Sequence, residues 1–155
     1  MFDELTKQDI ENMQKEIDYR KTVVRADLHE KIMAAKEFGD FSENSELYET
    51  KRAKGRNESR ISYLENMIRT ARIVEHTKNT DKVGLGSVVT VELDGGKVMT
   101  YQITTTISQD AQNGKISVKS PFAKAVMGKK VGDRVKVVVS PEFSYFVKIQ
   151  NIQSA

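Results

Sequence analysis

The chain has 155 residues, of which 38% are apolar and 30% are charged, and its formal net charge is +3. It contains no cysteine and only two histidines, which excludes a disulfide framework and argues against an ordinary zinc site. It has no run of the roughly 20 apolar residues that cross a bilayer, and its N-terminus does not resemble a signal peptide. We therefore expect a cytoplasmic protein of one or two small domains that does not engage a membrane.

The charge is divided unevenly along the chain. Residues 1–75 contain 14 Lys and Arg against 16 Asp and Glu, whereas residues 76–155 contain 11 against 6. Opposite signs in the two halves predict two units with different contact surfaces. The basic half suits a nucleic acid or an acidic protein, and its charge excess is too small to decide between them.

Two series of apolar residues recur at helical spacing on either side of Gly39. The first is Ile10, Met13, Ile17, Val24, Leu28, Ile32 and Ala35, and the second is Leu47, Thr50, Ile61, Leu64, Ile68 and Ala71. Each stripe is narrow enough to cover one partner helix and little more. Gly39 is a helix stop. Residues 1–75 are therefore predicted to form an antiparallel coiled-coil hairpin, with helices roughly 40 Å long and a seam that weakens around Asn57.

The periodicity changes after a polar linker at residues 76–82. Strands are predicted at residues 87–93, 98–107, 115–119, 134–139 and 145–149, with turn signals at Asp94-Gly95-Gly96 and Asn113-Gly114. Ser120 followed by Pro121 predicts the start of a short helix over residues 122–127. The fold class is thus α+β: the hairpin is followed by a small antiparallel sheet with one helix, over residues 83–155.

Two motifs resemble those of a known family, the bacterial Gre transcript-cleavage factors, and are most similar to its GreA-like branch. The first is Gly-Asp-Phe-Ser-Glu-Asn-Ser-Glu at residues 39–46. The second is Gly-Lys-Ile-Ser-Val-Lys-Ser-Pro at residues 114–121, continued at residues 128–133. The resemblance implies an FKBP-like second domain. It also implies binding to bacterial RNA polymerase, with that domain at the rim of the secondary channel and the hairpin reaching down it.

The same resemblance assigns roles to single residues. It implies that Asp40 and Glu43 help to hold a magnesium ion and a nucleophilic water at the polymerase's catalytic centre, where the 3′ end of backtracked nascent RNA is cut. The chain would then activate the polymerase's endonuclease without turnover or a cofactor of its own, and we expect it to act as a monomer. The sequence departs from the family at Leu47, where a tyrosine is usual, and in the basic run at residues 51–56.

The residues themselves leave alternatives open. The spacing of Asp40 and Glu43 is also that of a variant capping box, since acids favour helix N-termini, and Ser42 is another candidate cap. A basic row on the second helix can either bind RNA phosphates or form a solvated face paired with nearby glutamates. That row consists of Lys51, Arg52, Arg56 and Arg60. Ser120 and Pro121 either serve only to start a helix or also contact the polymerase.

Three functions remain as hypotheses. The first is a transcription elongation factor that stimulates RNA cleavage by the polymerase. The second is a Gre-like inhibitor that enters the same channel without cleavage activity, which the basic second helix would suit. The third is a prolyl isomerase or chaperone, suggested only by the implied FKBP-like domain, and fold alone does not establish such a function.

Overall fold

The computed structural model describes residues 3–39 and 44–154. These residues form two compact units: Asp3 with residues 8–72, and residues 4–7 with residues 73–154. The predicted fold class, a helical hairpin followed by a sheet domain with a short α-helix, is confirmed. Within the described ranges, none of the helices combines the length and the apolar character needed to span a bilayer.

The hairpin unit is built from two long helical segments. Helix α1 (Lys7–Tyr19) follows a short strand, β1 (Glu4–Leu5), and runs through a π-helical turn at Arg20–Val24 into α2 (Arg25–Lys36). Helix α3 (Ser45–Thr70) returns and is followed by β2 (Arg72–Ile73), which pairs with β1. Helix α3 has 26 residues, which corresponds to a length of about 39 Å.

The predicted seam residues face inward along these helices. Most of both series are buried, namely Met13, Ile17, Leu28, Ile32, Ala35, Leu47, Ile61 and Leu64. Ile10, Val24, Thr50 and Ile68 are only partly buried, and Met67, which the pattern did not include, is buried. The opposite faces carry charged side chains, so each helix is amphipathic and buries its apolar stripe on its partner.

The π-helical turn lies opposite the one polar side chain that is buried in the α3 part of the seam. Asn57 is 3% exposed. Its Oδ1 accepts a hydrogen bond from Arg20 Nη1 at 3.1 Å, and its Nδ2 donates to the Arg20 carbonyl at 3.3 Å. The same carbonyl accepts from the backbone N–H of Arg25, five residues on. A buried asparagine in a coiled-coil seam fixes register at some cost in stability, so this pair sets how the two helices align.

Within residues 73–154, five strands form one sheet in the order β5-β4-β3-β7-β6. The strands are β3 (Val88–Leu93), β4 (Val98–Thr104), β5 (Lys115–Ser117), β6 (Arg134–Ser140) and β7 (Phe143–Gln153). The expectation of a wholly antiparallel sheet was wrong at one edge, because β5 pairs parallel to β4 with Ile103 opposite Ile116. Residues 105–114 carry the chain back along β4, as a parallel pairing requires.

Helix α4 (Pro121–Val126) covers one face of this sheet. Ser120 caps it as predicted, because its Oγ accepts a hydrogen bond from the N–H of Ala123 at 3.2 Å. Phe122 packs edge-on against Tyr101 with ring centroids 5.0 Å apart. The core between helix and sheet consists of Val83, Val89, Val91, Ile103, Phe122, Ala123, Val126, Val135, Val137, Val147, Ile149 and Ile152.

Ile149 offers a test of this core. It is fully buried on β7, opposite Val91. Ile149→Ala should lower the free energy of unfolding of this unit by about 2–5 kcal/mol, since a deleted core side chain leaves a cavity. Urea denaturation measures the loss. The matched control is Val98→Ala on β4, where the valine is 52% exposed, and its effect should stay within about 0.5 kcal/mol. Equal losses for the two variants would contradict the assignment of the core.

Candidate functional site

One asparagine closes the end of the hairpin where α2 passes into α3. Asn44 Nδ2 donates hydrogen bonds to the carbonyls of Ala35 at 2.9 Å and Gly39 at 2.6 Å. Asn44 Oδ1 accepts from the backbone N–H of Leu47 at 3.1 Å, which caps the N-terminus of α3. Asn44 is therefore bonded to the last turn of one helix and the first turn of the next.

Helix α2 ends at Lys36, three residues before Gly39, the predicted helix stop. The φ of Gly39 is +98°, a left-handed conformation that glycine adopts without the steric cost a Cβ would bring. Its N–H donates to the carbonyl of Lys36 at 3.0 Å. Beneath this turn, Ile32, Ala35 and Leu47 form a small buried cluster. Leu47 is thus a packing residue.

The two predicted acidic residues, Asp40 and Glu43, lie outside the described residues, as does Ser42. Their roles therefore stay predictions. The structure does place the two ends of the segment that contains them: Gly39 and Asn44 are joined by the 2.6 Å hydrogen bond from Asn44 Nδ2.

The residues of the predicted basic row all lie on exposed positions of α3. Arg52 Nη1 is 3.4 Å from Glu49 Oε1, and both side chains are more than half exposed. For Arg56, the described residues supply no hydrogen-bond or ion-pair partner. Their binding to RNA stays a prediction, and Arg52 and Arg56 are the members of the row that combine exposure with weakly compensated charge.

Arg60 is in a different environment. It donates two hydrogen bonds to the carboxylate of Glu16 on α1, from Nε to Oε2 at 2.9 Å and from Nη2 to Oε1 at 3.2 Å. Glu16 also accepts from Arg20 Nε at 2.7 Å. This network links Asn57, through Arg20, to the salt bridge across the seam. Sequence reasoning missed it, although the spacing of Glu16 and Arg20 at i and i+4 was a signal that the two could pair.

The network shifts the titration of Glu16. The hydrogen bond from Arg60, followed by that from Arg20, outweighs the effect of burial and lowers the pKa of Glu16 from 4.5 to about 2. In turn, the hydrogen bond to Glu16 raises the pKa of Arg60 above its ordinary value. Glu16 therefore stays ionised throughout the pH range in which most carboxylates titrate, and it compensates much of the charge of Arg60.

This shift predicts a pH-dependent stability. The contribution of Glu16 is complete above its unfolded pKa near 4.5 and is lost as the pH falls through about 2. Glu16→Gln should therefore be less stable than the original chain at neutral pH, and the difference should shrink as the pH approaches 2. Urea unfolding across this pH range measures it.

The control for Glu16 is Glu11→Gln, because Glu11 pairs with Lys15 at 3.5 Å with both side chains largely exposed. Exposed pairs of this kind contribute little. A stability difference for Glu16→Gln that does not vary with pH would contradict the lowered pKa.

In the second unit, Ser120 and Pro121 begin α4. Pro121 is exposed and Ser120 is partly buried. The N–H of Ser120 donates to the carbonyl of Ser117 at 2.9 Å, so the loop that presents Pro121 is braced against β5. Lys119 and Lys124 flank this position and are also exposed. The structure thus presents Pro121 at a basic surface, and its contact with a partner stays a prediction.

The closure of the hairpin can be tested at Asn44. Asn44→Ala removes the cap and both donated hydrogen bonds, and the cap alone is worth about 0.5–2 kcal/mol. Asn44→Asp keeps the accepting oxygen and loses the donors. We expect faster amide hydrogen exchange at Leu47 in Asn44→Ala than in Asn44→Asp, with unfolding free energies in the corresponding order. Indistinguishable exchange in the two variants and the original chain would contradict the role of Asn44.

Comparisons with known proteins cover both units. The family model described as transcription elongation factor, N-terminal, matches residues 4–73, and that described as transcription elongation factor, GreA/GreB, C-terminal, matches residues 77–154. A transcription elongation factor GreA of Staphylococcus saprophyticus is 43% identical over 150 residues, which cover 96% of this chain and 95% of that protein.

Solved structures of related proteins also resemble the chain over nearly its whole length. A structure of the transcription factor Gfh1 is 26% identical, with a TM-score of 0.46, covering 98% of this chain and 97% of that one. The GreA factor homolog 1 (Gfh1) of Thermus thermophilus is 26% identical, with a TM-score of 0.43, covering 99% and 100%.

Proposed function

The chain belongs to the GreA/GreB family of transcription elongation factors, and on this basis we propose that it stimulates bacterial RNA polymerase to cut backtracked RNA. The hairpin enters the secondary channel of the polymerase and brings Asp40 and Glu43 to the polymerase's catalytic centre. The chain itself has no turnover, and the bond is cut by the polymerase's own endonuclease activity.

One observation carries this proposal: Asn44 ties the end of α2 to the start of α3 around residues 40–43. The two acidic residues of the motif, Asp40 and Glu43, fall in the sequence between the two ends that Asn44 joins. Helix α3 alone is 26 residues long, so it spans about 39 Å and could carry the loop deep into a channel. A capping role for either acid is compatible with this arrangement, although Asn44 already caps α3.

The carboxylates suit a shared metal ion. Magnesium prefers an octahedral array of oxygens, commonly one or two carboxylates together with waters and phosphates. Asp40 and Glu43 can supply part of such an array. Within residues 3–39 and 44–154, no group of three or more His, Cys, Asp or Glu residues could hold a metal ion. Since two carboxylates fall short of the six ligands that magnesium takes, we assign the pair to an ion shared with the polymerase.

When bound, this ion would help to generate the nucleophilic hydroxide and to stabilise the leaving oxygen of the phosphodiester. The contribution of the chain is to place the oxygens of Asp40 and Glu43 and to orient a water by accepting its hydrogen bonds. Because the two carboxylates cannot complete the coordination of a magnesium ion, we expect the chain alone to cleave little RNA in the absence of the polymerase.

The remaining predicted residues divide between the two units. Lys51, Arg52 and Arg56 on α3 contact the phosphates of the extruded RNA 3′ end, since basic side chains are the common ligands of nucleic-acid backbones. Arg60 contributes least, because Glu16 holds its guanidinium at 2.9 and 3.2 Å. Ser120 and Pro121 contact the polymerase from the second unit.

The decisive variants are in the loop. Asp40→Ala and Glu43→Gln should each reduce cleavage of RNA in halted, backtracked polymerase complexes by about 100-fold or more, because losing a direct ligand should cost at least as much as losing an outer-shell partner of a metal site. The length of the labelled RNA on a gel reports cleavage. The control is Glu30→Gln, which changes an exposed carboxylate of α2 and should leave cleavage unchanged.

Two outcomes would contradict the proposal. Undiminished cleavage with Asp40→Ala would exclude the acidic pair from the chemistry. Slower elongation without any cleavage by the original chain would instead identify an inhibitor that occupies the same channel.

A further inference from the structure

An exposed aromatic ring and a guanidinium lie against each other near the start of α3. Tyr48 is 57% exposed, and the Cζ of Arg52 lies 5.1 Å from the centroid of its ring. The N–H of Tyr48 donates to the carbonyl of Asn44 at 3.2 Å, so the ring projects from the first turn of α3. Tyr48 lies about 6 Å along the helix axis from Asn44, and the predicted acidic residues Asp40 and Glu43 precede Asn44 in the sequence.

The surroundings of this pair are cationic. Besides the ring of Tyr48, Arg52 contacts Glu49 at 3.4 Å, and the side chains of Arg52 and Glu49 are 61% and 66% exposed. Arg56 follows one turn later on the same face of α3, and Lys51 is an exposed neighbour. A surface for another protein would be expected to offer apolar area around the aromatic ring, whereas here the ring is bordered by positive charge.

Helix α3 contains a second pair of the same composition in a different electrostatic setting. The Cζ of Arg60 lies 5.3 Å from the centroid of Tyr63, which is 48% exposed. Arg60, however, is bonded twice to Glu16 across the seam, which compensates its charge. Tyr63 is also 15 residues further along the helix, which places it about 22 Å from Tyr48. Tyr63 with Arg60 therefore serves as a matched control for Tyr48 with Arg52 on the same helix.

We propose that Tyr48 and Arg52 form a stacking site for an unpaired nucleobase of single-stranded RNA. Every base presents a π face that stacks on an aromatic ring or a guanidinium, and nearby cations hold the adjoining phosphates. This inference rests on the proposed function, since the RNA in question is the extruded 3′ segment near the cleavage loop. It adds a second role for the tip, which is to hold a base while the backbone is positioned beside Asp40 and Glu43.

A fluorescent base tests the contact directly. RNA with 2-aminopurine at its unpaired 3′ end is placed in a halted, backtracked polymerase complex, and the full chain is added. Stacking should quench the fluorescence with the original chain, with Tyr48→Phe and with Tyr63→Ala. Tyr48→Ala should abolish the quenching. Urea unfolding of each variant verifies that these exposed substitutions leave the fold intact.

A cleavage assay with an abasic 3′ nucleotide provides the second measurement. At a limiting concentration of the chain, Tyr48→Ala should slow cleavage of ordinary RNA by about tenfold, within the range seen when a stacking aromatic is replaced by alanine. On abasic RNA, the original chain and Tyr48→Ala should cleave at the same rate. Tyr63→Ala should match the original chain on both substrates.

The results separate this inference from the proposed function. Quenching that persists in Tyr48→Ala, or is absent with the original chain, would overturn the stacking site. An equal effect of Tyr48→Ala on ordinary and abasic RNA would also overturn it, because the tyrosine would then act without the base. Quenching that depends on Tyr48 but is accompanied by no cleavage would support the stacking site and contradict the proposed function.

Discussion

A single stripe of apolar side chains holds the two long helical segments of the hairpin together, and the other features of this unit depend on it. Residues such as Ile17, Leu28, Ile61 and Leu64 are buried along the seam, while the remaining faces are charged and hydrated. Because the stripe is narrow, each helix can cover its apolar face only by aligning with the other over much of its length. The alignment of the two helices therefore depends on this stripe.

Polar contacts supplement the seam where apolar packing is weakest. Asn57 and Arg20 pair at the π-helical turn, and Glu16 joins both Arg20 and Arg60. At the loop, Asn44 adds the bonds that close the turn. Such contacts constrain register and loop geometry more than they add to stability. For a protein whose proposed task is to place two carboxylates at a distant catalytic centre, register matters because a shift of one turn would move the loop by about 5.4 Å.

Much of the fold could be predicted, because local spacing determines which residues share a face. Local sequence patterns predicted the seam, the helix stop at Gly39 and the cap at Ser120. The π-helical turn could not be predicted, because the spacing of apolar residues does not indicate where a helix changes its hydrogen-bond pattern. The parallel pairing of β5 depends on the path of residues 105–114, which spacing does not reveal. At the site, the pairing of Arg60 with Glu16, 44 residues away, requires the register of the hairpin, and the roles of Asp40 and Glu43 came from a motif.

The proposed function requires that Asp40 supplies a ligand to an ion at the polymerase's catalytic centre. The magnesium dependence of RNA cleavage, measured in halted complexes saturated with the original chain or with Asp40→Asn, tests this requirement. We expect Asp40→Asn to raise the magnesium concentration needed for half-maximal cleavage, because a neutral amide is a poorer ligand for this ion than a carboxylate. An unchanged magnesium requirement with a lower maximal rate would contradict it, since Asp40 would then act without contacting the metal.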